Sequence, residues 1–454
     1  MEKIEKHVSD IKLRFLEKFG FGAMAMTEGI TSQFVATFLL FYFTDVYGIT
    51  PAIAGIIMSI GVVWDGVNDP LIGYLADNRR FRNGEKARPY ALFFGIPTGI
   101  MLLLLFTVFN LPPTAKIVYA LVAYMLFDTC LTFFQIPGTV MRTLASGDPH
   151  ERVSINTYAS FGANIGTVVS TLAVWPLIEV FGGLDSAGEI ADPQKGFFAV
   201  AAIMAVLVAA GALTHYFTTR ERVKQKSPDT SRISIKSMFA MLFATKSWTF
   251  NMLFLLFSNI HNVIISVSVV YFATSVLHDS GAVTLIMAGY LGGAVLALPF
   301  IKSVHRKLGR RRSMIVTAAV LVVTKLYFIF TAPTLISALS VAVFVGVGVS
   351  FNLVLTNTTA SEIADLVEHR KGRRIENTLS TISTLVIKLV LALVSLAVGM
   401  ALEFTGYNSE LAVQPAGAVS AINLFFGLVP MLAAVVMCVI AWFFPIEKEM
   451  EELA

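Results

Sequence analysis

The sequence predicts an all-α integral membrane protein with twelve transmembrane helices in two six-helix bundles. Hydrophobic residues make up 56% of the 454 residues and charged residues only 14%, and the mean hydropathy is +0.74, a profile that soluble globular proteins do not have. Twelve apolar segments approach or exceed the roughly twenty residues that a helix needs to cross a bilayer. Lys and Arg cluster in alternate junctions between these segments, which is typical of polytopic membrane proteins.

The predicted spans follow one another along the chain with short connections. Their approximate limits are 19–46, 52–77, 89–109, 114–143, 152–181, 194–218, 248–277, 281–301, 312–332, 334–365, 375–404 and 418–445. The tenth and eleventh spans exceed one bilayer thickness, so we expect tilt or cytoplasmic extension there.

The longest polar segment, from Thr219 to Lys246, separates two halves of six spans. The predicted domains are a first bundle at 1–218, a cytoplasmic linker at 219–247, a second bundle at 248–445 and a cytoplasmic tail at 446–454. Basic junctions follow both the second and the eighth span, which are corresponding places in the two halves. Related bundles that rock about a midplane site are a known transporter architecture.

The distribution of basic residues predicts the orientation of the chain. The N-terminal tail and the junctions after even-numbered spans are rich in Lys and Arg, whereas the opposite loops hold only Lys116 and Lys195. Because cytoplasmic loops carry this excess, both termini are predicted to be cytoplasmic, in a multi-pass protein of the cell membrane. No cleavable signal peptide is apparent near the N-terminus, so we expect the first span to be retained. Topology accounts for the net charge of +4, and we expect no nucleic-acid partner.

Two carboxylates interrupt the second span. Asp65 and Asp69 are one helical turn apart, so they project from the same face of a helix. A charge at bilayer depth is costly and by default marks an ion or substrate pathway, and neighbouring carboxylates repel one another unless a cation lies between them. The pair therefore predicts a cation site in the first bundle. The alternative is a structural acid pair satisfied by a basic partner or by backbone N–H groups.

The sequence carries no signature of an enzyme or of an ATP-driven pump. It contains no phosphate-binding Walker loop, no His-Glu-x-x-His zinc pattern and no nucleophile elbow. Cys130 and Cys438 fall within predicted spans and indicate neither a disulfide framework nor a metal site. We expect no enzymatic activity and no cofactor apart from a coupling cation. The expected partners are a small-molecule substrate and membrane lipid, and the oligomeric state is left open.

Short motifs in nearly every part of the chain resemble the glycoside–pentoside–hexuronide:cation symporters of the major facilitator superfamily, the melibiose permease-like transporters. The most specific is Trp64-Asp-Gly-Val-Asn-Asp-Pro-Leu-Ile-Gly73 in the second span. Weaker matches in the same order are Phe41-Tyr-Phe-Thr-Asp-Val46, Gly84-Glu-Lys-Ala-Arg-Pro89, Gln135-Ile-Pro137 and Ile363-Ala-Asp-Leu-Val367.

The resemblance implies the major facilitator fold and symport of a sugar, glycoside or glucuronide with Na+ or H+ by alternating access. It implies that Asp65 and Asp69 coordinate the cation, as metal ligands if the ion is Na+. It adds Thr132 as a hydroxyl ligand and Lys388 as a lysine near the site. Asp128 joins this set because it shares one helical face with Thr132 and Gln135 in the fourth span, and carboxylate, hydroxyl and amide oxygens are what hard cations prefer.

The same resemblance predicts a substrate-binding set in which several family features are replaced. Gln135 stands where the family has a sugar-binding acid, and Asn156 where it has an arginine. Glu28 is the charged residue among three candidates for the first-span acid. Asn259 and Asn262, on one face of the seventh span, resemble substrate-side asparagines, although hydrogen bonds between packed helices would also explain them.

The sequence does not assign a single role to two groups of polar residues in the second half. Lys325 in the ninth span is a candidate substrate counter-ion, a lysine that snorkels to the interface, or the partner of an unidentified acid. The acids of the tenth span are expected to pair with basic loops; they are Glu362, Asp365 and Glu368.

Because aromatic and basic sugar-binding residues are replaced, two alternatives to sugar symport stay open. One alternative is a cation-coupled transporter of a non-sugar such as a lysolipid. The other is a membrane sensor that does not transport.

Overall fold

A computed structural model describes residues 12–82, 84–186, 189–223, 246–371, 376–411 and 413–445, together with 447 and 449. Within these residues the chain is helical, and the only β contact is an isolated bridge between Leu184 and Ile190. The predicted all-α class is therefore confirmed. The linker prediction falls largely on residues 224–245, outside the described ranges.

The chain divides into two compact units, Met1–Thr230 and Ser231–Ala454. The helices of the N-terminal unit are α1 (Phe15–Phe41), α2 (Pro51–Asn78), α3 (Arg88–Leu105), α4 (Pro113–Leu144), α5 (Pro149–Leu172), α6 (Val174–Gly182) and α7 (Pro193–Thr218). Those of the C-terminal unit are α8 (Lys246–Tyr271), α9 (Ala282–Phe330), α10 (Leu335–Lys371), α11 (Glu376–Phe404), α12 (Ala416–Phe426) and α13 (Leu428–Trp442).

The described helices account for the twelve predicted spans. Ten helical segments are long and apolar enough to cross a membrane, and the bent pair α5 and α6 makes an eleventh. The 49-residue α9 holds both the eighth and the ninth predicted span. It is divided at Gly309, whose φ of 75° and ψ of 177° are far from helical values, and glycine adopts this backbone conformation at low cost.

Two predicted spans are broken rather than continuous. Each break is caused by a proline that lies four residues further along the chain. The fifth span bends by 40° after Leu172, four residues before Pro176, and the twelfth breaks after Phe426, four residues before Pro430. Proline has no N–H for the carbonyl four residues earlier, and its ring clashes with that carbonyl. Both helices therefore end at the residue whose carbonyl loses its donor.

The first and seventh spans end in the same unusual way. α1 continues into a π-helical turn at Tyr42–Val46, and α8 into one at Phe272–Val276. In both, the next N–H bonds to the carbonyl five residues back, from Tyr47 to Tyr42 at 2.8 Å and from Leu277 to Phe272 at 3.0 Å. Because the two turns occupy equivalent places, they support the interpretation that the halves are related.

Small residues let α1 and α5 touch along their backbones. A Cβ atom added to Gly162 would lie 1.9 Å from the carbonyl oxygen of Gly22, and one added to Gly166 would lie 2.1 Å from that of Met26. Further along, the Ser170 hydroxyl donates to the Ile30 carbonyl at 2.9 Å. Close backbone approach of this kind replaces the hydrophobic driving force that is missing between helices in lipid.

Acidic side chains bind backbone N–H groups and arginines in the basic junctions between the helices. The Glu221 carboxylate accepts hydrogen bonds from the backbone N–H groups of Ala87 and Arg88, at 2.7 and 2.8 Å, and so compensates the N-terminus of α3. In the C-terminal unit Glu362 pairs with Arg310, as expected for an acid facing a basic loop. The side chains of Asp365 and Glu368 lie outside the described residues.

The α1–α5 contact predicts a strong difference between two glycine substitutions. Gly162→Ala is expected to destabilise the protein by about 1–3 kcal/mol, since overpacking forces backbone shifts. Gly73→Ala on α2 is the matched control, because a Cβ atom there meets nothing within 4 Å. Thermal unfolding in detergent measures both. Equal Tm values for the two variants would contradict this account of the contact.

Candidate functional site

The second and fourth spans are in direct contact beside the predicted acids. A Cβ atom on Gly61 would lie 2.1 Å from Cε1 of Tyr124, so the tyrosine ring lies against the backbone of α2. Almost one turn further along α2, the indole N–H of Trp64 donates to the Thr129 hydroxyl at 3.0 Å. That hydroxyl in turn donates to the Met125 carbonyl at 2.7 Å. These contacts fix which face of α4 meets α2.

The predicted acids lie along this contact. Asp65 follows Trp64 directly and is half-buried, as are Asp69 and Asp128. The phenol of Tyr124 lies within electrostatic range of both Asp65 of α2 and Asp128 of α4. Thr132, one turn beyond Asp128, is only 4% exposed. Asp65 and Asp128 are therefore both near Tyr124, and Thr132 continues the helical face of α4 that carries Asp128.

Asn68 is a candidate site residue that the sequence analysis did not name. It is 3% exposed, on the buried face of α2 that also carries Gly61 and Ile72. Its Nδ2 is buried and has no hydrogen-bond partner among the described residues. Most buried polar groups are paired, so the unpaired Nδ2 makes Asn68 a candidate for contact with a ligand. The sequence motif contains this residue, since Asn68 lies between Asp65 and Asp69.

Within the described residues, no group of three or more His, Cys, Asp or Glu side chains is arranged to hold a metal ion. A cation at this contact would draw on fewer than three carboxylates and on neutral oxygens such as the Thr132 hydroxyl. That chemistry suits a hard monovalent cation or a proton better than a transition metal, which prefers nitrogen or sulfur ligands.

Glu28 and Gln135 face the same neighbourhood from α1 and α4. Gly138 packs against Met24, since a Cβ atom on that glycine would lie 1.5 Å from Cε of the methionine. One turn beyond this contact on each helix are Glu28 and Arg142, whose Oε2 and Nη2 atoms are 3.5 Å apart. Gln135 is half-buried, one turn before Gly138 on the same stripe. Arg142 was missed in the sequence, although its spacing continues that stripe.

Two of the polar residues of the seventh span, Asn262 and His261, contact other helices, whereas Asn259 bonds within α8. The hydroxyl of Tyr290 on α9 donates to the Oδ1 of Asn262 at 3.1 Å, and Asn259 donates to the Leu255 carbonyl at 2.8 Å. His261 is fully buried, with Nδ1 2.8 Å from the Pro430 carbonyl oxygen. The role of the two asparagines in substrate binding stays a prediction. So does the role of Lys388 near the cation site; this lysine is half-buried on α11 of the C-terminal unit.

Lys325 has a partner that none of the three interpretations named. It is fully buried, and its Nζ donates to the Phe426 carbonyl at 2.7 Å. That carbonyl is the one left without a donor by Pro430. The same ammonium lies 4.7 Å from the centroid of the Phe426 ring, within the range of a cation–π interaction. Lys325 therefore completes the broken twelfth span.

Comparison with known proteins places this architecture in a family. The family model described as MFS/sugar transport protein matches residues 19–448. The chain belongs to the MFS/sugar transport protein family. The resemblance to the glycoside–pentoside–hexuronide:cation symporters of the major facilitator superfamily is thereby confirmed.

Relatives of this MFS/sugar transport protein carry transport names. The isoprimeverose transporter of Lactiplantibacillus pentosus is 28% identical over 439 residues, which cover 95% of this chain and 89% of that protein. The glucuronide carrier protein homolog of Escherichia coli (strain K12) is 25% identical over 431 residues, covering 92% and 90%. A solved D-xylose–proton symporter superposes with a TM-score of 0.61 at 14% identity, covering 95% and 97%. This likeness confirms the major facilitator fold.

The broken twelfth span predicts energetic coupling between two distant positions of the sequence. Lys325→Met leaves the Phe426 carbonyl without its donor, whereas Pro430→Ala restores a backbone N–H that can reach it. We expect the change in stability caused by Lys325→Met to be smaller in the Pro430→Ala background, with a coupling energy of about 0.5–3 kcal/mol.

A double-mutant cycle of thermal unfolding measures this coupling. Lys302→Met, an exposed lysine of the same helix, is the control and should show additive behaviour with Pro430→Ala. Additivity between Lys325→Met and Pro430→Ala would contradict the assignment.

Proposed function

We propose that this protein is a secondary active symporter that carries a sugar or glycoside across the cell membrane together with Na+ or H+, by alternating access. The observation that carries the proposal is the contact of α2 with α4 at the Trp64–Thr129 hydrogen bond, where Asp65 of α2 and Asp128 of α4 are both within electrostatic range of Tyr124. Family membership supports the transport of a sugar, and the relatives named as an isoprimeverose transporter and a glucuronide carrier support the same substrate class.

The proposed cation ligands are drawn from Asp65, Asp69, Asp128 and Thr132, with at most two of the three carboxylates on the ion at once. Carboxylates gathered from two helices repel one another, and a bound Na+ or proton relieves that repulsion. Because α2 and α4 each contribute an acid, relief of the repulsion changes how closely the two helices pack. The ion therefore favours one arrangement of the N-terminal unit over another, which is the differential binding that a population shift requires.

Coupling follows when substrate favours the same arrangement as the cation. The two ligands then raise each other's affinity by the same factor. The membrane potential adds a driving force of roughly 2.3 kcal/mol per net charge at about 100 mV. The proposed substrate contacts are Glu28, Gln135, Asn259 and Asn262, and both termini are proposed to be cytoplasmic. No catalytic role is proposed for any residue.

Asp65→Asn and Asp69→Asn are each expected to remove cation-stimulated uptake. Loss of a charged ligand costs the cation at least about 1.4 kcal/mol, or tenfold in affinity. The measurement is uptake into proteoliposomes of labelled pentosides, neutral glycosides, glucuronides and lysolipids, with an inward Na+ gradient at fixed pH and, separately, an inward H+ gradient.

Asp148→Asn is the matched control, because Asp148 caps the N-terminus of α5 by accepting from the His150 N–H at 2.9 Å and asparagine caps equally well. Its uptake should equal that of the wild type. Cation-driven uptake that survives in both the Asp65→Asn and Asp69→Asn variants would overturn the proposed cation site. Uptake of lysolipid alone would overturn the proposed sugar, and binding of a ligand without flux would favour a sensor.

A further inference from the structure

The ion pair between Glu28 and Arg142 is unlike the other ion pairs of the N-terminal unit. Lys18 and Glu151 meet at 2.8 Å, and Arg88 and Glu85 at 2.6 Å, which is the usual range of about 2.7–2.9 Å for a charge-assisted hydrogen bond or slightly below it. Glu28 and Arg142 are 3.5 Å apart. At this distance the two side chains are not tightly bonded to each other. Each can therefore still form hydrogen bonds with a third group.

Both partners have unused capacity. The Oε1 atom of Glu28 is buried and has no hydrogen-bond partner among the described residues. A guanidinium has five N–H donors, and within the described part of the chain the single ion-pair partner of Arg142 is Glu28, through one atom pair. Leaving a buried charged group unsatisfied is costly. A ligand that donates to the carboxylate and accepts from the guanidinium would satisfy both.

Part of the surface of α1 and α5 carries exposed polar or small residues, as expected where water or a substrate is present rather than lipid. Beyond Glu28, the exposed positions at helical spacing on α1 are Ser32 and Ala36. On α5, which packs against α1, a stripe of exposed polar residues follows the same spacing. Its members are Asn156, Ser160 and Asn164. By contrast, the start of α4 exposes Val118, Val122 and Leu126, a surface suited to lipid.

We infer that Glu28 and Arg142 together bind a pair of neighbouring hydroxyl groups, and that the substrate is a neutral glycoside rather than a glucuronide. The inference rests on the proposed symport function and assigns a specificity role to Arg142. Each sugar hydroxyl is both a donor and an acceptor, so one can donate to the carboxylate while its neighbour accepts from the guanidinium.

A carboxylate on the substrate fits this pair poorly. It would compete with Glu28 for Arg142 and leave the Glu28 carboxylate unpaired in a partly buried position, which is strongly unfavourable. The N-terminal unit also holds Asp65, Asp69 and Asp128 in its spans, so a further negative charge meets an environment that is already acidic. A neutral sugar keeps the Glu28–Arg142 pair intact and adds hydrogen bonds to it.

The test compares Arg142→Lys and Arg142→Ala with the wild type in proteoliposomes. Uptake and competition use 4-nitrophenyl β-xyloside, β-glucoside, β-galactoside and β-glucuronide, together with Na+ affinity measured in the absence of sugar. We expect the wild type to accept neutral glycosides at least about tenfold better than the glucuronide. Arg142→Ala should raise KM for the accepted glycoside roughly tenfold to hundredfold, as loss of a hydrogen bond to a charged group does.

The lysine variant separates recognition from mere charge pairing. Arg142→Lys keeps the positive charge beside Glu28 but loses the planar fork of donors, so KM should stay raised while Tm recovers. Lys18→Gln is the matched control, since it removes a tight α1–α5 ion pair and should lower Tm without changing KM.

The possible results are distinguishable. Absence of any cation-driven uptake by the wild type overturns the proposed function, and this inference with it. Cation-driven uptake with an unchanged KM in Arg142→Ala overturns only the role of Arg142. Preference for the glucuronide overturns the neutral substrate class. A raised KM in Arg142→Ala that Arg142→Lys fully restores shows that the pair is structural, and also overturns the inference.

Discussion

A charge inside a bilayer has to be compensated, and the arrangement of both units depends on how this protein does it. The N-terminal unit gathers acids on α2 and α4 that a cation can compensate, and it sets Arg142 loosely beside Glu28. Among the described residues of the C-terminal unit, Lys325 is fully buried, and a backbone carbonyl and an aromatic ring compensate its charge. One unit therefore has charge capacity left for ligands, while the other uses its charge to hold the fold.

Backbone hydrogen bonding obeys the same constraint, because no water is available in the hydrocarbon region to pair with a free carbonyl. The break after Phe426 is tolerated because Lys325 reaches across from α9 to its carbonyl, and His261 reaches the carbonyl of Pro430 from α8. A broken helix in this setting becomes a junction among three spans. Its stability then depends on side chains more than a hundred residues away in the sequence.

Much of the fold could be predicted from the sequence, because apolar length and basic junctions report bilayer crossings directly. The two broken spans could not, since proline has two outcomes: Pro70 and Pro97 lie inside helices that continue past them, whereas the helices before Pro176 and Pro430 end. Candidate site residues could be named where they share one helix, as with Asp65 and Asp69, and their role as a cation site stays a prediction. The candidate set was incomplete where the partners come from different helices, because spacing along the chain says nothing about the contacts of Tyr124 with Gly61 or of Arg142 with Glu28.

Trp64 offers the most direct test of the central claim, that a cation binds where α2 meets α4. Its indole donates to Thr129 and it precedes Asp65 in sequence, so its fluorescence should respond to a cation bound there. We expect a saturable change on addition of Na+ at fixed pH, or of protons without Na+, which is lost in Trp64→Phe and in Asp65→Asn. A saturable change that persists unaltered in Asp65→Asn, or no response of the wild type to either cation, would contradict the account.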